Sequence, residues 1–184
     1  MRHLFSLPIL RGYAIVTYIP RSRSIVISRF RREPRLSDTP ARQGIDEQAA
    51  RDLLERAREV RQNAYAPYSR FSVGAALLAA DGRVFTGVNV ENVAYPIGIC
   101  AERTAVGKAI SEGVRDFVAV AVVGPDDHAP CTPCGGCRQF LYEFGAALTV
   151  ITPQGDGMWI TTMRDLLPGA FDEQERLQGG GPRG

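Results

Sequence analysis

The chain has 184 residues, enough for one domain with its own core and too short for two full ones. Hydrophobic residues make up 45% and charged residues 23%, an ordinary globular balance, and no uninterrupted apolar run approaches the ~18 residues of a membrane span. The net charge of +2 hides an asymmetry: residues 1–44 carry nine arginines against Glu33 and Asp38, a surplus of +7 that leaves −5 on the rest, so the main body is a poor partner for nucleic acid.

Residues 1–44 read as an appendage. Pro8, Pro20, Pro34 and Pro40 interrupt any long element, leaving short apolar pieces at Ala14–Ile19 and Ile25–Ile27. The expectation is a basic, disordered extension, or upstream sequence added by a misplaced start. The alternative is a targeting arm, since Arg-rich, acid-poor, Ser-containing segments resemble organelle transit peptides. The folded domain is expected over residues 45–172, followed by a disordered, glycine-rich tail at 173–184.

From Asp46, apolar residues at Ala49, Ala50, Leu53, Leu54, Ala57, Val60 and Ala64 recur at helical spacing, and Pro67 ends the pattern. Phe71–Ala80 and Val84–Val90 read as a strand pair turning at Asp81-Gly82. Ala101–Ser111 is helical in composition and stops at Gly113. Phe117–Val123 is apolar throughout, as a buried central strand must be. A short helix is expected near Gly136–Phe144, strands at Ala147–Thr152 and Met158–Thr161, and one helical turn at Thr162–Leu167. The order implies a three-layer α/β/α sandwich around a mixed sheet of about five strands.

Four cysteines are present, and Cys131, Cys134 and Cys137 fall within seven residues. A chain of this length needs no disulfide framework, so metal binding in a reducing, cytoplasmic compartment is expected. Cys100-Ala101-Glu102 and Pro133-Cys134-Gly135-Gly136-Cys137 each stand where a loop enters a helix. Free N–H groups there favour thiolate. Three thiolates from Cys100, Cys134 and Cys137 leave a tetrahedral Zn²⁺ one open position for water. Glu102, close by, is the candidate proton carrier. Arg103 and Arg138 adjoin the ligands and are expected to hydrogen-bond the sulfurs, offsetting their negative charge. Cys131 as a fourth ligand would instead close the site and end catalysis.

These segments, with Tyr68-Ser69-Arg70-Phe71-Ser72-Val73-Gly74-Ala75-Ala76, Asn89-Val90-Glu91-Asn92, Tyr95-Pro96 and Arg138-Gln139, resemble the small homotetrameric cytidine deaminases over roughly residues 47–171. The first ligand being Cys100, the all-cysteine variant of the zinc deaminase signature applies. The basic extension is the main departure from the family pattern.

The resemblance implies hydrolytic deamination of a free pyrimidine nucleoside, cytidine or deoxycytidine, in pyrimidine salvage. It implies Asn89 and Glu91 on the ribose, Phe71 on the pyrimidine ring, the Ala101 backbone on the base edge, and Tyr95 and Phe171 reaching toward a neighbouring subunit of a homotetramer. Glu102 would accept a proton from the attacking water, protonate the adjacent ring nitrogen, and then help protonate the departing amine. Rival readings are an antibiotic nucleoside deaminase, a deaminase of bases within RNA or DNA, and a non-catalytic zinc module. Arg103 after Glu102 and the Asn-Val-Glu-Asn run speak against the first. A cysteine as first ligand and the acidic body speak against the second.

Overall fold

The structure is a computed structural model that describes residues 45–171 and, before them, the backbone of two short strands. The chain divides into two units, Met1–Pro40 and Ala41–Gly184. In the first, β1 (Ile15–Tyr18) pairs antiparallel with β2 (Ile25–Ser28), with Val16 opposite Ile27. These strands fall on the two short apolar pieces of the basic segment; the rest of that segment and the tail beyond Phe171 lie outside the described residues.

The second unit opens with α1 (Glu47–Arg61). The Asp46 carboxylate accepts from the Ala49 N–H at 2.8 Å, satisfying one of the free donors of the first turn. Ala50, Leu53, Leu54 and Ala57 form its buried stripe. Sequence periodicity extends this helix through Ala64, yet it stops at Arg61. The Tyr65 backbone is needed elsewhere: its N–H donates to the Asn89 carbonyl at 3.0 Å and its carbonyl accepts from Glu91 at 2.8 Å.

The hairpin forms as expected but shorter, as β3 (Gly74–Ala79) and β4 (Val84–Val88). Beyond Val88 the chain leaves the sheet, and Val90 bridges Tyr65 on one side and Ile99 on the other. Then come α2 (Ala101–Ser111), β5 (Phe117–Val123), α3 (Gly135–Tyr142), β6 (Thr149–Gln154), β7 (Gly157–Thr162) and α4 (Met163–Leu166). The sheet order is β4-β3-β5-β6-β7, with β5 and β6 parallel and every other pair antiparallel. A mixed five-stranded sheet is therefore present.

Helices cover both faces. Leu53 and Leu54 of α1 pack with Ala76, Ala121, Val123 and Ile151 on one side. Ala105 and Val106 of α2, Leu141 of α3 and Met163 of α4 pack with Leu77 and Val120 on the other. Two glycines make this layering tight. A Cβ on Gly74 would stand 2.0 Å from the Ala57 carbonyl of α1, and one on Gly87 would stand 2.4 Å from the Ala101 carbonyl of α2. The second contact fixes the N-terminus of α2 against the sheet, where Cys100 and Glu102 sit.

Candidate active site

The fold brings two helix N-termini together. Cys100 is the N-cap residue of α2 and Cys134 that of α3, and neither side chain caps its own helix, so both sulfurs are free to face each other. Their sulfurs lie 3.9 Å apart, and those of Cys100, Cys134 and Cys137 all lie within 4.8 Å of one another. All four cysteines are free thiols. Two sulfurs on a tetrahedral zinc, at Zn–S of about 2.3 Å, stand about 3.8 Å apart. The donor set and its spacing therefore fit zinc. Cys131 is outside the cluster, which leaves three sulfurs and an open position rather than a closed four-thiolate site.

The electrostatics favour thiolate at the first ligand. The Cys137 thiol hydrogen-bonded to Cys100 does most to bring Cys100 down to about 5, with Arg103 and Cys134 adding to it against the cost of burial. The same contact raises Cys137. Arg103 reaches the Cys100 sulfur with Nη2 at 3.7 Å and the Gly98 carbonyl at 3.3 Å. Its Nε is buried without a partner, a spare donor beside the sulfurs.

Arg138 differs from the sequence expectation. Its guanidinium donates to the Pro133 carbonyl at 2.8 Å, the Leu166 carbonyl at 2.9 Å and the Thr132 hydroxyl at 3.2 Å, and none of these is a sulfur. Seated on α3 one residue past Cys137, it reaches back around the loop rather than forward to the metal. It ties the Thr132-Pro133 approach and the α4 turn to the helix that carries Cys134 and Cys137.

Glu102 lies in the first turn of α2 and is 4% exposed. Burial raises its pKa above the ordinary carboxylate range, with the Cys100 charge adding to the rise. A carboxylate moved toward neutrality binds a proton more readily and can return it, as a group acting as both base and acid must.

A cavity of about 360 Å³ opens over these groups, and Phe71, Asn89, Glu91, Ala101, Glu102 and Cys131 are among its lining residues. Phe71 is held for this position. Arg70 before it has φ 57, a left-handed turn that redirects the chain. The Asn89 amide then donates to the Phe71 carbonyl at 2.8 Å and accepts from the Val73 N–H at 2.8 Å. Glu91 accepts from the backbone of Tyr68 at 2.9 Å and of Ser69 at 3.2 Å, and from the Ser69 hydroxyl. The Ser69 hydroxyl first, and those N–H groups after it, hold the Glu91 carboxyl below the ordinary range.

Tyr95 lies outside this cavity, in an adjoining one of about 400 Å³ that shares Ser69 and Glu91, and its ring meets Tyr68 edge-on at 6.0 Å. Phe171 is 68% exposed and does not line the cavity over the sulfurs. Its backbone is held by both ends of the Gln139 amide at 2.8 and 3.1 Å. Sequence reasoning missed Ser69 as the partner of Glu91, and it missed Thr152, a fully buried hydroxyl within β6 that accepts from the Cys131 N–H at 2.7 Å. Ser69 sits within a quoted motif; a threonine inside a strand carries no signal of this kind.

Three convergent sulfurs with a buried carboxylate define the site of a zinc-dependent hydrolase. Residues 47–152 match the cytidine and deoxycytidylate deaminase zinc-binding region. The chain is 48% identical over 125 residues to the cytidine deaminase of Sporosarcina psychrophila, covering 67% of this chain and 91% of that one. To the cytidine deaminase of Halalkalibacterium halodurans it is 51% identical over 126 residues, covering 67% and 94%. Among solved structures, the cytidine deaminase from Burkholderia pseudomallei matches with a TM-score of 0.62 at 49% identity, covering 66% of this chain and 98% of that one. The chain belongs to the cytidine and deoxycytidylate deaminase family.

Proposed function

We propose that the protein hydrolyses free cytidine and deoxycytidine to uridine and deoxyuridine, releasing ammonia, in pyrimidine salvage. The observation that carries the reading is the placement of Glu102, buried beside three convergent sulfurs and opening on the same cavity as Phe71, Asn89 and Glu91. Cys100, Cys134 and Cys137 would hold the zinc, which when bound would acidify a water molecule at neutral pH. Glu102 takes one proton of the attacking water and gives it to the ring nitrogen beside the amino-bearing carbon, then takes the remaining proton of the added hydroxyl and delivers it to the amine as it leaves. The Ala101 backbone meets the base edge, Phe71 packs on the ring, and Asn89 and Glu91 hold the ribose hydroxyls.

A free nucleoside suits the cavity better than a nucleotide. The acidic residues lining it are Glu91 and Glu102, and no arginine or lysine is among its lining residues to hold a phosphate. A thiolate metal site also suits the reducing cytoplasm. Among the described residues no helix is long and apolar enough to cross a membrane.

A homotetramer completes the reading. Tyr65, Tyr68, Val90, Val93, Tyr95 and Ile97 are all exposed, with Tyr65 bridged to Val90 and the Tyr68 ring against that of Tyr95, apolar surface suited to a second copy. Tyr95 and Phe171 then reach a neighbour's site rather than their own. The test is to offer cytidine, deoxycytidine, cytidine monophosphate and a cytidine-containing oligonucleotide to the purified, zinc-loaded chain. The reading requires ammonia from the first two and far less from the others; equal turnover of the oligonucleotide would overturn it.

A further inference from the structure

One wall of the cavity has no role so far. The three sulfurs lie between the N-termini of α2 and α3. Ala101 and Glu102 line the cavity from α2, and Cys131 and Thr132 line it from the approach to α3. A cytosine ring that turns its amino-bearing carbon to the sulfurs and its ring nitrogen to Glu102 turns its opposite edge, at carbon 5, away from Glu102 and to the remaining lining residues, Cys131 among them.

Cys131 is fixed there from two directions. Its backbone N–H donates to the buried Thr152 hydroxyl at 2.7 Å. Its side chain presses on Gly124, where an added Cβ would stand 3.1 Å from both Cβ and Sγ of Cys131 and 3.5 Å from the tip of the Phe71 ring. The bare backbone of Gly124 is thus what gives Cys131 and Phe71 their room. Cys131 also packs against the α2 core, so it has little freedom to swing away from a bulkier ring.

We propose that Cys131, seated against Gly124, is the specificity-determining wall of the base pocket and excludes substituents at carbon 5 of the pyrimidine. The inference rests on the cytidine reading above. It needs no ionisation of the thiol, only its volume: burial keeps Cys131 protonated, its pKa pushed up to about 11.

The test is the ratio of kcat/KM for 5-methylcytidine to that for cytidine, measured on one preparation of each variant so that the folded fraction cancels. Pocket contacts of one carbon's size change such ratios about 10- to 200-fold. Cys131→Ala opens the wall and raises the ratio about tenfold, whereas Cys131→Leu lowers it. Gly124→Ala crowds Cys131 into the cavity and lowers the ratio, and adding Cys131→Ala to that variant restores it. Cytidine turnover with the same ratio in Cys131→Ala and Cys131→Leu as in the wild type overturns the inference alone. A wild-type chain that deaminates neither nucleoside overturns the functional reading and this wall with it.

Discussion

The Cys100 and Cys134 sulfurs meet at 3.9 Å although 34 positions separate the residues in the chain. Each stands at the N-cap position of a different helix, and the two helices are held by opposite devices. Close packing through Gly87 fixes α2 on the sheet, while the Arg138 guanidinium braces the loop into α3. The metal site is therefore a property of the layered fold and not of the local Cys-x-x-Cys turn.

This geometry sorts the cysteines. Cys100→Ala, Cys134→Ala and Cys137→Ala should each lose zinc, because two sulfurs remain where the site needs three. Cys131→Ser should keep it. Metal analysis of the four purified variants decides the matter, and zinc loss from the Cys131 variant would revive a four-thiolate site.

Glu102→Gln should fold and retain zinc while losing turnover by about 10²–10⁴-fold, the usual worth of a positioned acid–base group. The amide keeps the shape of the carboxylate but cannot carry the proton. Near-normal kcat in this variant would remove Glu102 from the mechanism.

The Arg61 guanidinium donates to the Gly124 carbonyl and, at 2.8 Å, to the Asp127 carboxylate, with Arg58 a further 3.5 Å contact. Hydrogen bonding to Arg61 holds the Asp127 pKa below its ordinary value. A depressed carboxylate contributes stability that is present above its unfolded pKa and lost as pH falls through the folded one. Asp127→Asn should lower the melting temperature at neutral pH, by the equivalent of at most about 1 kcal/mol for so exposed a pair. The deficit should shrink as pH drops below about 4. A deficit constant down to strongly acid pH would show that the contact acts through shape and not charge.

Deleting residues 1–42 should leave cytidine turnover intact, since the site residues named above lie between Tyr68 and Phe171. Loss of activity in a folded truncated chain would give the basic segment a catalytic part. Light scattering carries the companion prediction. The intact chain should run as a tetramer, and Phe171→Ala should raise KM or loosen assembly with zinc still bound, whereas a fully active monomer would end the account of Tyr95 and Phe171.

The site's inner ring was legible because its chemistry has few substitutes. Three cysteines at chelating spacing beside a glutamate, each at a loop-to-helix junction, leave little freedom, and α2 and β5 fall where composition puts them. Long-range competition for backbone partners was not legible. The periodicity of α1 runs on through Ala64, and only the pairing of Tyr65 with the Asn89 and Glu91 backbone stops it earlier. Sequence adjacency also misled for Arg138, whose neighbours in the chain are ligands but whose guanidinium faces carbonyls and a hydroxyl. Arg103, three residues past its nearest ligand in sequence, does reach the sulfur, because one helical turn carries it back over Cys100.

The central claim is that three thiolates hold a zinc that, with Glu102, removes the amino group of a free nucleoside. Ammonia and uridine released from cytidine should be measured on the purified chain as isolated, after removal of the metal by a chelator, and after zinc is restored. The account predicts stoichiometric ammonia and uridine, loss of both with the metal, and recovery with zinc. A zinc-loaded, folded chain that releases no ammonia from cytidine, or a metal-free chain that turns over at the same rate, would contradict it.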